Sequence, residues 1–219
     1  MRSNPHLSAF IVLLVLFSTE LPMYFLTTPR LGFRLWSKDD IVLASALWGD
    51  PEVTHFIDAR HGLDATQIEE KLDAELELQQ QHGVQYWPIF LMENGQHVGC
   101  CGLRPKDITA RIFEFGVHLR KPYWGTGLAA EAGHAAINYA FEHLKARQLF
   151  AGHHPQNHGS RRLLEKLGFV YIGDQLYPPT GLQHPSYMLM QTTSNLYLLH
   201  TNRGMPANFS LAVTEECQI

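Results

Sequence analysis

One short stretch of the chain places two closely spaced glycines between a strand and a long helix. The strand is predicted over residues 111–119 and the helix over 128–144, and the loop between them contains Gly125 and Gly127. Glycine lets the backbone take positive φ angles and approach a ligand closely. The helix then offers unpaired N–H groups and the positive end of its dipole. The stretch therefore predicts a site for a phosphate or pyrophosphate, with a plain strand-to-helix turn as the alternative.

Two other classes of nucleotide-binding loop fit this stretch less well. The phosphate loop of nucleoside triphosphatases ends in Gly-Lys-Ser/Thr, and the sequence contains no such run. Gly125, Gly127 and Ala130 match the spacing of the dinucleotide fingerprint. That motif opens a parallel sheet, however, and an acidic residue follows the next strand. Here the next predicted strand, 148–152, is followed by His153 and His154, so the dinucleotide interpretation is weak.

The order of the predicted elements indicates the fold class. Hydrophobic periodicity and helix-capping signals predict four helices, over 38–48, 66–81, 128–144 and 160–167. Seven strands are predicted, over 31–36, 86–92, 97–103, 111–119, 148–152, 169–172 and 187–190. Asn94-Gly95 predicts a hairpin between the second and third strands. A helical pair, an antiparallel meander and then alternating strands and helices predict a mixed α/β fold, with a mostly antiparallel sheet flanked by helices.

The two ends of the chain differ from its middle. Residues 9–17 form an apolar run as long as the core of a signal peptide, but Glu20 and Pro22 interrupt it before the roughly 18 residues that a membrane span needs. We expect residues 1–22 to be an extension outside the working protein, with a weak membrane anchor as the alternative. Residues 192–219 show no periodicity and are predicted to be a tail, which leaves a domain over 23–191.

Charge and cysteine content restrict partners and location. The formal net charge is −4, whereas nucleic-acid binders usually carry a basic surplus or stripe, so no nucleic-acid partner is expected. The three cysteines are Cys100, Cys101 and Cys217. An odd count without framework spacing argues against a secreted disulfide scaffold. We therefore predict a cytoplasmic protein.

Three segments together resemble the GNAT superfamily of N-acetyltransferases, and more closely its RimJ/RimL-like branch, which acetylates ribosomal proteins. Residues 124–132 fit the wording WGxGxAxEA, 157–169 resemble the block NxxSxxxLEKxGF, and 26–31 resemble the usual opening of the branch. The resemblance covers about residues 26–190. It implies the GNAT-like acyl-CoA N-acyltransferase fold and an enzyme that transfers acetyl from acetyl-CoA to a primary amine, without a metal.

The resemblance also implies where acetyl-CoA binds. The backbone of residues 117–119 would pair with the pantetheine arm, and the amides of the glycine loop would hold the pyrophosphate. Asn157 would contact the pantetheine or a bound water, Ser160 would lie near the thioester sulfur, and Arg120 and Lys166 are candidate phosphate contacts or else solvated surface charges. The expected cofactor-binding residues are Val117, His118, Leu119, Arg120, Trp124, Gly125, Thr126, Gly127, Leu128, Ala129, Asn157, Ser160 and Lys166.

Amine acylation also requires proton transfer. An alkylamine is mostly protonated at neutral pH and must lose a proton before it can attack. Glu114 lies among apolar residues on the strand before the loop, where some family members carry a catalytic carboxylate, and we predict that it is the base. The alternative is a solvent-facing glutamate. Many relatives place a tyrosine where Leu164 stands, to protonate the leaving thiolate, and Ser160 is predicted to substitute for it.

The histidines raise the question of a metal. Of the thirteen in the chain, His153, His154 and His158 form the closest set. No acid or cysteine completes a recognised ligand spacing, so no metal is expected. His118 or His154 could instead line the cleft for the acceptor.

The identity of the acceptor stays open at the level of sequence. We predict a protein or peptide α-amine, with a small amine such as a polyamine as the enzymatic alternative and a catalytically silent CoA-binding module as another. A homodimer is also left open. Four acidic residues near the predicted acceptor region would suit a cationic amine, or simply face solvent: Asp50, Glu52, Asp58 and Asp64.

Overall fold

The computed structural model describes residues 24–57 and 62–191. Its strands are β1 Leu26–Thr27, β2 Leu31–Phe33, β3 Tyr86–Leu91, β4 His97–Asp107, β5 Ile112–Leu119, β6 Gln148–Gly152, β7 Val170–Tyr177 and β8 Leu182–Met190. Its helices are α1 Ile41–Trp48, α2 Pro51–Thr54, α3 Ala65–His82, α4 Leu128–Glu142 and α5 His158–Lys166. The predictions for residues 1–22 and 192–219 lie outside the described residues.

All eight strands belong to one sheet in the order β1-β2-β3-β4-β5-β6-β8-β7. Within the described part of the chain, only β5 and β6 pair in parallel, and the other neighbours are antiparallel. The predicted mixed, mostly antiparallel fold is therefore confirmed.

The hairpin between β3 and β4 forms where Asn94-Gly95 predicts it. Gly95 has a φ of 68°, and its amide donates to the carbonyl of Leu91 at 2.8 Å. The Asn94 side chain accepts from the amide of Gln96 at 2.9 Å. These bonds close the turn and fix the register of the meander that carries the site.

Several predicted boundaries are wrong. β2 ends at Phe33 rather than 36, because the amide of Trp36 donates to the Gln85 side chain instead of continuing a ladder. α5 begins at His158 rather than 160, since Asn157 caps it. β4, β7 and β8 are longer than predicted. β7 is an edge strand with mostly exposed side chains, so no alternating apolar pattern marks its full length.

Two hydrophobic cores lie on opposite faces of the sheet. Side chains alternate between the two faces along β5, with Phe113 and Phe115 in the core beneath α4 and α5. On the other face, Tyr86 and Cys100 pack in a second core with α1 and α3. Four buried alanines allow α4 to lie close to the sheet: Ala132, Ala135, Ala136 and Ala140. Of the helices in the described ranges, none combines the length and apolar content needed to cross a membrane.

The two cysteines of β4 point to opposite faces of the sheet. Cys100 and Cys101 are buried and free, and each belongs to a different core. Burial raises the pKa of both thiols, so they remain protonated at neutral pH. Neither is therefore a reactive thiolate.

The stability of the fold is expected to fall in mild acid, because burial depresses histidine pKa values. Burial, helped by Arg120, lowers the pKa of His97 from 6.5 to about 4. Between those values the unfolded chain binds a proton that the folded protein does not. The stability contributed by His97 is therefore complete above about pH 6.5 and decreases as the pH falls toward 4, by on the order of 3 kcal/mol.

Thermal unfolding followed between pH 7 and pH 4.5 tests this expectation. The melting temperature of the wild-type protein should decrease, and His97→Phe, which keeps a ring of similar size, should decrease less steeply. An equally steep decrease in His97→Phe would show that other groups control the acid sensitivity.

Candidate active site

The sheet opens between β5 and β6. Their pairing is confined to Ile112, Phe113 and Glu114 against Gln148, Leu149 and Phe150. Beyond Glu114 the two strands diverge, and a cleft of about 600 Å³ lies in the opening. The end of β5 forms one wall, and the end of β6 with the start of α5 forms the other. We call this space the sheet cleft.

The three predicted pantetheine-binding residues of β5 all line the sheet cleft: Val117, His118 and Leu119. Because β6 has diverged here, the backbone of β5 has a strand neighbour, β4, on one side only. An extended ligand can therefore lie along the open side of β5 and accept or donate hydrogen bonds as an added strand would.

The glycine loop forms the mouth of the sheet cleft. Gly125 and Gly127 have φ angles of 74° and 83°, which residues with a side chain rarely adopt. Gly127 is the N-cap of α4, and no side chain caps that helix. Its first-turn amides are therefore available to an anion.

Of the other loop residues, two line the cleft and two do not. Trp124 and Ala129 line the sheet cleft, and the Trp124 indole donates to the Leu119 carbonyl at 2.8 Å. Thr126 instead donates through its hydroxyl to the Tyr123 carbonyl at 2.6 Å, and Leu128 is buried in the core. Any contact that Thr126 and Leu128 make with a ligand in the cleft would thus be through their backbone.

The first turn of α5 supplies the facing wall. Asn157 and Ser160 both line the sheet cleft. The Asn157 side-chain oxygen accepts from the Ser160 amide at 2.9 Å, which leaves the amide NH₂ of Asn157 as the group that can donate to a ligand. The cap thus fixes Asn157 and Ser160 beside each other.

The charged residue that the structure brings to this wall is Arg162, which sequence reasoning did not select. Among the residues the structure describes, Arg120 and Lys166 are not part of the lining. The Arg120 guanidinium donates to the His97 carbonyl at 3.2 Å, and Lys166 lies in the last turn of α5. The signal available in the sequence was the position of Arg162, two residues after Ser160 in the same helix.

Glu114 lies at the base of the opening but not in the cleft lining. Its carboxylate accepts a hydrogen bond from the Tyr86 hydroxyl at 3.1 Å. That hydroxyl lies over Gly116, where an added Cβ would come within 2.3 Å of it. Burial raises the pKa of Tyr86 well above 10, so the phenol remains protonated and donates. Tyr86 therefore stands along β5 between Glu114 and His118, a contact that the sequence did not reveal.

The protonation of His118 is fixed by its neighbour Trp48. The Trp48 indole nitrogen, which can only donate, lies 3.3 Å from Nδ1 of His118. Burial lowers the pKa of His118 well below 6.5, so the ring is neutral. With Nδ1 accepting from Trp48, the proton is on Nε2. His118 can donate a hydrogen bond into the cleft, but it has no free lone pair with which to accept a proton.

Histidines also line the opposite wall, at the end of β6. His153 and His154 both face the sheet cleft, as predicted for His154. The His153 Nδ1 lies 2.8 Å from the carbonyl of His154 and must donate to it. Nε2 of the neutral ring then accepts from the Tyr187 hydroxyl at 3.3 Å. Across the cleft, the rings of Phe56 and His154 are 5.2 Å apart, so the two walls meet there.

Three of the four acidic residues predicted near the acceptor region are engaged within the protein. Asp50 caps α2 and Asp64 caps α3. Glu52 lines the cleft but pairs with the ammonium of Lys121 at 2.6 Å. Asp58 lies outside the described residues. No set of three His, Cys, Asp or Glu side chains in residues 24–57 and 62–191 is arranged to hold a metal ion.

A split sheet, an open strand edge and an uncapped helix N-terminus at a glycine loop suit a protein that takes an acyl carrier with a long arm and a pyrophosphate. Comparison with known families agrees: the family model described as an acetyltransferase (GNAT) domain matches residues 30–170. The chain belongs to the GNAT acetyltransferase family and is an acetyl-CoA-dependent N-acetyltransferase.

Individual relatives and solved structures resemble the chain at low sequence identity. The chain is 29% identical to a protein named uncharacterized N-acetyltransferase p20 of Bacillus licheniformis over 148 residues, which covers 68% of this chain and 83% of p20. The fold of the chain is similar to that of RimL, a ribosomal L7/L12 α-N-protein acetyltransferase solved with coenzyme A. The TM-score is 0.67 at 12% identity, and the match covers 77% of this chain and 98% of RimL. The fold is also similar to that of a spermidine N-acetyltransferase of Vibrio cholerae solved with CoA and spermine. The TM-score is 0.64 at 15% identity, and the match covers 75% of this chain and 97% of the other. At these identities the solved structures establish the fold alone.

Proposed function

We propose that the enzyme transfers the acetyl group of acetyl-CoA to the α-amine of a protein or peptide, as the RimJ/RimL-like branch does. The observation that carries the proposal is the sheet cleft itself, which joins the open edge of β5 to the uncapped N-terminus of α4. A long thioester arm fits the first and a pyrophosphate fits the second. Acetyl transfer then occurs where the arm ends, between the walls formed by β5 and β6.

We assign the cofactor contacts accordingly. The backbone of 117–119 would pair with the pantetheine, and the amides of Gly125 to Ala129 would bind the pyrophosphate. Asn157 would donate to the pantetheine. Arg162 lines the cleft and is therefore a stronger candidate to bind a CoA phosphate than Arg120 or Lys166. Arg120 and Lys166 do not line the cleft, but they remain expected contacts.

We propose that Glu114 takes up the amine proton through Tyr86. The Tyr86 hydroxyl already donates to Glu114. When the phenol oxygen accepts a proton from the amine, the hydroxyl proton can pass to the carboxylate of Glu114. The amine attacks the thioester carbon, and the C–S bond breaks to release the thiolate of CoA. Ser160, on the facing wall, is the proposed donor to that thiolate. A thiol with a pKa near 8.5 also leaves readily without one.

The charges of the sheet cleft favour a peptide over a polyamine. A polyamine carries several positive charges, which a site would match with carboxylates. The carboxylate of Glu52 is paired with Lys121, and Asp50 and Asp64 serve as helix caps. The neutral rings of His118 and His153 provide hydrogen bonds rather than negative charge. The similarity to a spermidine acetyltransferase keeps a small amine as the alternative.

An acetyl-transfer assay against a panel of amines tests the choice. We expect N-terminal peptides to be acetylated with a kcat/KM at least tenfold above that of spermidine or simple alkylamines. Blocking the peptide α-amine while leaving a lysine side chain free should abolish the reaction. Preference for spermidine would favour the small-amine alternative, and binding of acetyl-CoA without turnover of any amine would favour a silent binding module.

Acetyl-CoA chemistry and two free buried cysteines are consistent with a cytoplasmic enzyme, and we propose that location.

The proposed contacts with acetyl-CoA all come from one chain, so these contacts do not require a homodimer.

A further inference from the structure

A buried carboxylate ties the first turn of α4 to the turn between β1 and β2. Glu131 is 9% exposed. Its Oε1 accepts from the Thr28 hydroxyl at 2.6 Å and from the Arg30 amide at 2.9 Å. Its Oε2 accepts from Nε of Arg30 at 2.6 Å. Charge-assisted bonds of this length are strong, so Glu131 holds the Arg30 side chain in one position.

The guanidinium held in this way reaches the glycine loop. Nη1 of Arg30 donates to the carbonyl of Thr126 at 3.1 Å. Arg30 also lies beside Gly127, since a Cβ added there would be 3.6 Å from Nη2. Gly127 lines the sheet cleft, whereas Thr126 and Arg30 are not in its lining. Arg30 therefore contacts the loop from outside the cleft.

The geometry of the peptide bond gives this contact a consequence. In a trans peptide, the carbonyl of one residue and the N–H of the next point in opposite directions. The peptide between Thr126 and Gly127 is trans. While Arg30 holds the Thr126 carbonyl, the N–H of Gly127 must point away from Arg30. A flip of this peptide would instead present a carbonyl oxygen to an anion.

We infer that Arg30, oriented by Glu131, is a positioning residue for the pyrophosphate site: it fixes the peptide of residues 126–127 so that the Gly127 N–H faces the ligand. The inference rests on the proposed function, because it takes the glycine loop as the pyrophosphate site. It assigns a role in cofactor binding to a residue that does not touch the cofactor. Arg30 thus acts on the diphosphate part of CoA and not on the pantetheine part.

Binding of two ligands separates this role from a general structural one. CoA carries the pyrophosphate and pantetheine does not, and both affinities can be measured by NMR titration of the full chain. In Arg30→Met the affinity for CoA should fall about three- to tenfold, with no change in the affinity for pantetheine. Arg30→Lys keeps the charge but loses the forked guanidinium, so it should resemble Arg30→Met. Glu131→Gln should show the same pattern more weakly, because an amide can still accept from Arg30.

A matched control is available in a second ion pair. Arg34 pairs with Asp40 at 2.6 Å, away from the cleft. Arg34→Met should leave the affinities for both CoA and pantetheine unchanged. If Arg30→Met binds CoA as tightly as wild type, or loses CoA and pantetheine affinity equally, the inference is wrong. If wild-type protein does not bind CoA more tightly than pantetheine, the glycine loop is not the pyrophosphate site and the proposed function fails at that point.

Discussion

Replacing Glu114 by glutamine is expected to lower kcat/KM for acetyl transfer by roughly 10²–10⁴-fold, the usual contribution of a general base. Glutamine keeps the size of the side chain and can still accept from the Tyr86 hydroxyl, but it cannot take up the amine proton. The affinity for acetyl-CoA should barely change, because the proposed pyrophosphate contacts lie in the glycine loop. The loss should shrink as the pH rises toward the pKa of the acceptor amine, where free amine no longer needs a base.

Two further variants sharpen this test. Tyr86→Phe should share most of the loss if the proton passes through the phenol. Glu142→Gln, at the end of α4, replaces a carboxylate outside the cleft lining and should be silent. Near-normal turnover of Glu114→Gln at neutral pH, with chemistry shown to be rate-limiting, would place the base elsewhere. A bound water would then be the next candidate, since Nδ1 of His118 accepts from Trp48 and Nδ1 of His154 accepts from the Gln156 amide.

Replacing Gly127 by valine is expected to weaken acetyl-CoA binding about ten- to a hundredfold, the value of one or two hydrogen bonds to a charged group. The φ of Gly127 is 83°, a region that a β-branched residue avoids. The substitution therefore moves the amide that faces the cleft, and the new side chain also blocks the close approach of the ligand. Calorimetry with acetyl-CoA measures the effect.

Gly95→Val provides the matched control for Gly127→Val. Gly95 has a φ of 68°, and a Cβ there would meet nothing within 4 Å. It lies in the β3–β4 hairpin and is not part of the cleft lining. Gly95→Val should lower the melting temperature through the same backbone strain but leave acetyl-CoA affinity intact. Equal affinity in wild type and Gly127→Val would show that the phosphate groups bind elsewhere.

Local sequence signals were sufficient to predict the strand and the helix that flank the glycine loop. Successive side chains of a strand point to opposite faces, so a strand over 111–119 places Glu114 and Phe115 on opposite faces, as the structure shows. Asn94-Gly95 identified the hairpin, and Gly125 and Gly127 identified a loop with positive φ angles. In each case a backbone requirement is met by residues only a few positions apart, so the pattern can be read along the chain.

Contacts between distant segments could not be read in the same way. Tyr86 and Glu114 are 28 positions apart, Trp48 and His118 are 70, and Arg30 and Glu131 are 101. For the same reason, Arg162, which lines the cleft, was not selected. Which side of a helix faces a cleft depends on how the sheet opens. We found no sequence pattern in β5 or β6 that signals where the two strands diverge.

The divergence of β5 from β6 also bears on the stability of the folded protein. A sheet that stops pairing halfway along β5 leaves a row of backbone groups for water, or for a ligand, to satisfy. If acetyl-CoA occupies the opening, the donor substrate completes the sheet, and by mass action the folded state gains free energy whenever that substrate is abundant. Fluctuations of acetyl-CoA concentration would then change not only the rate of acetylation but also the lifetime of the protein that performs it.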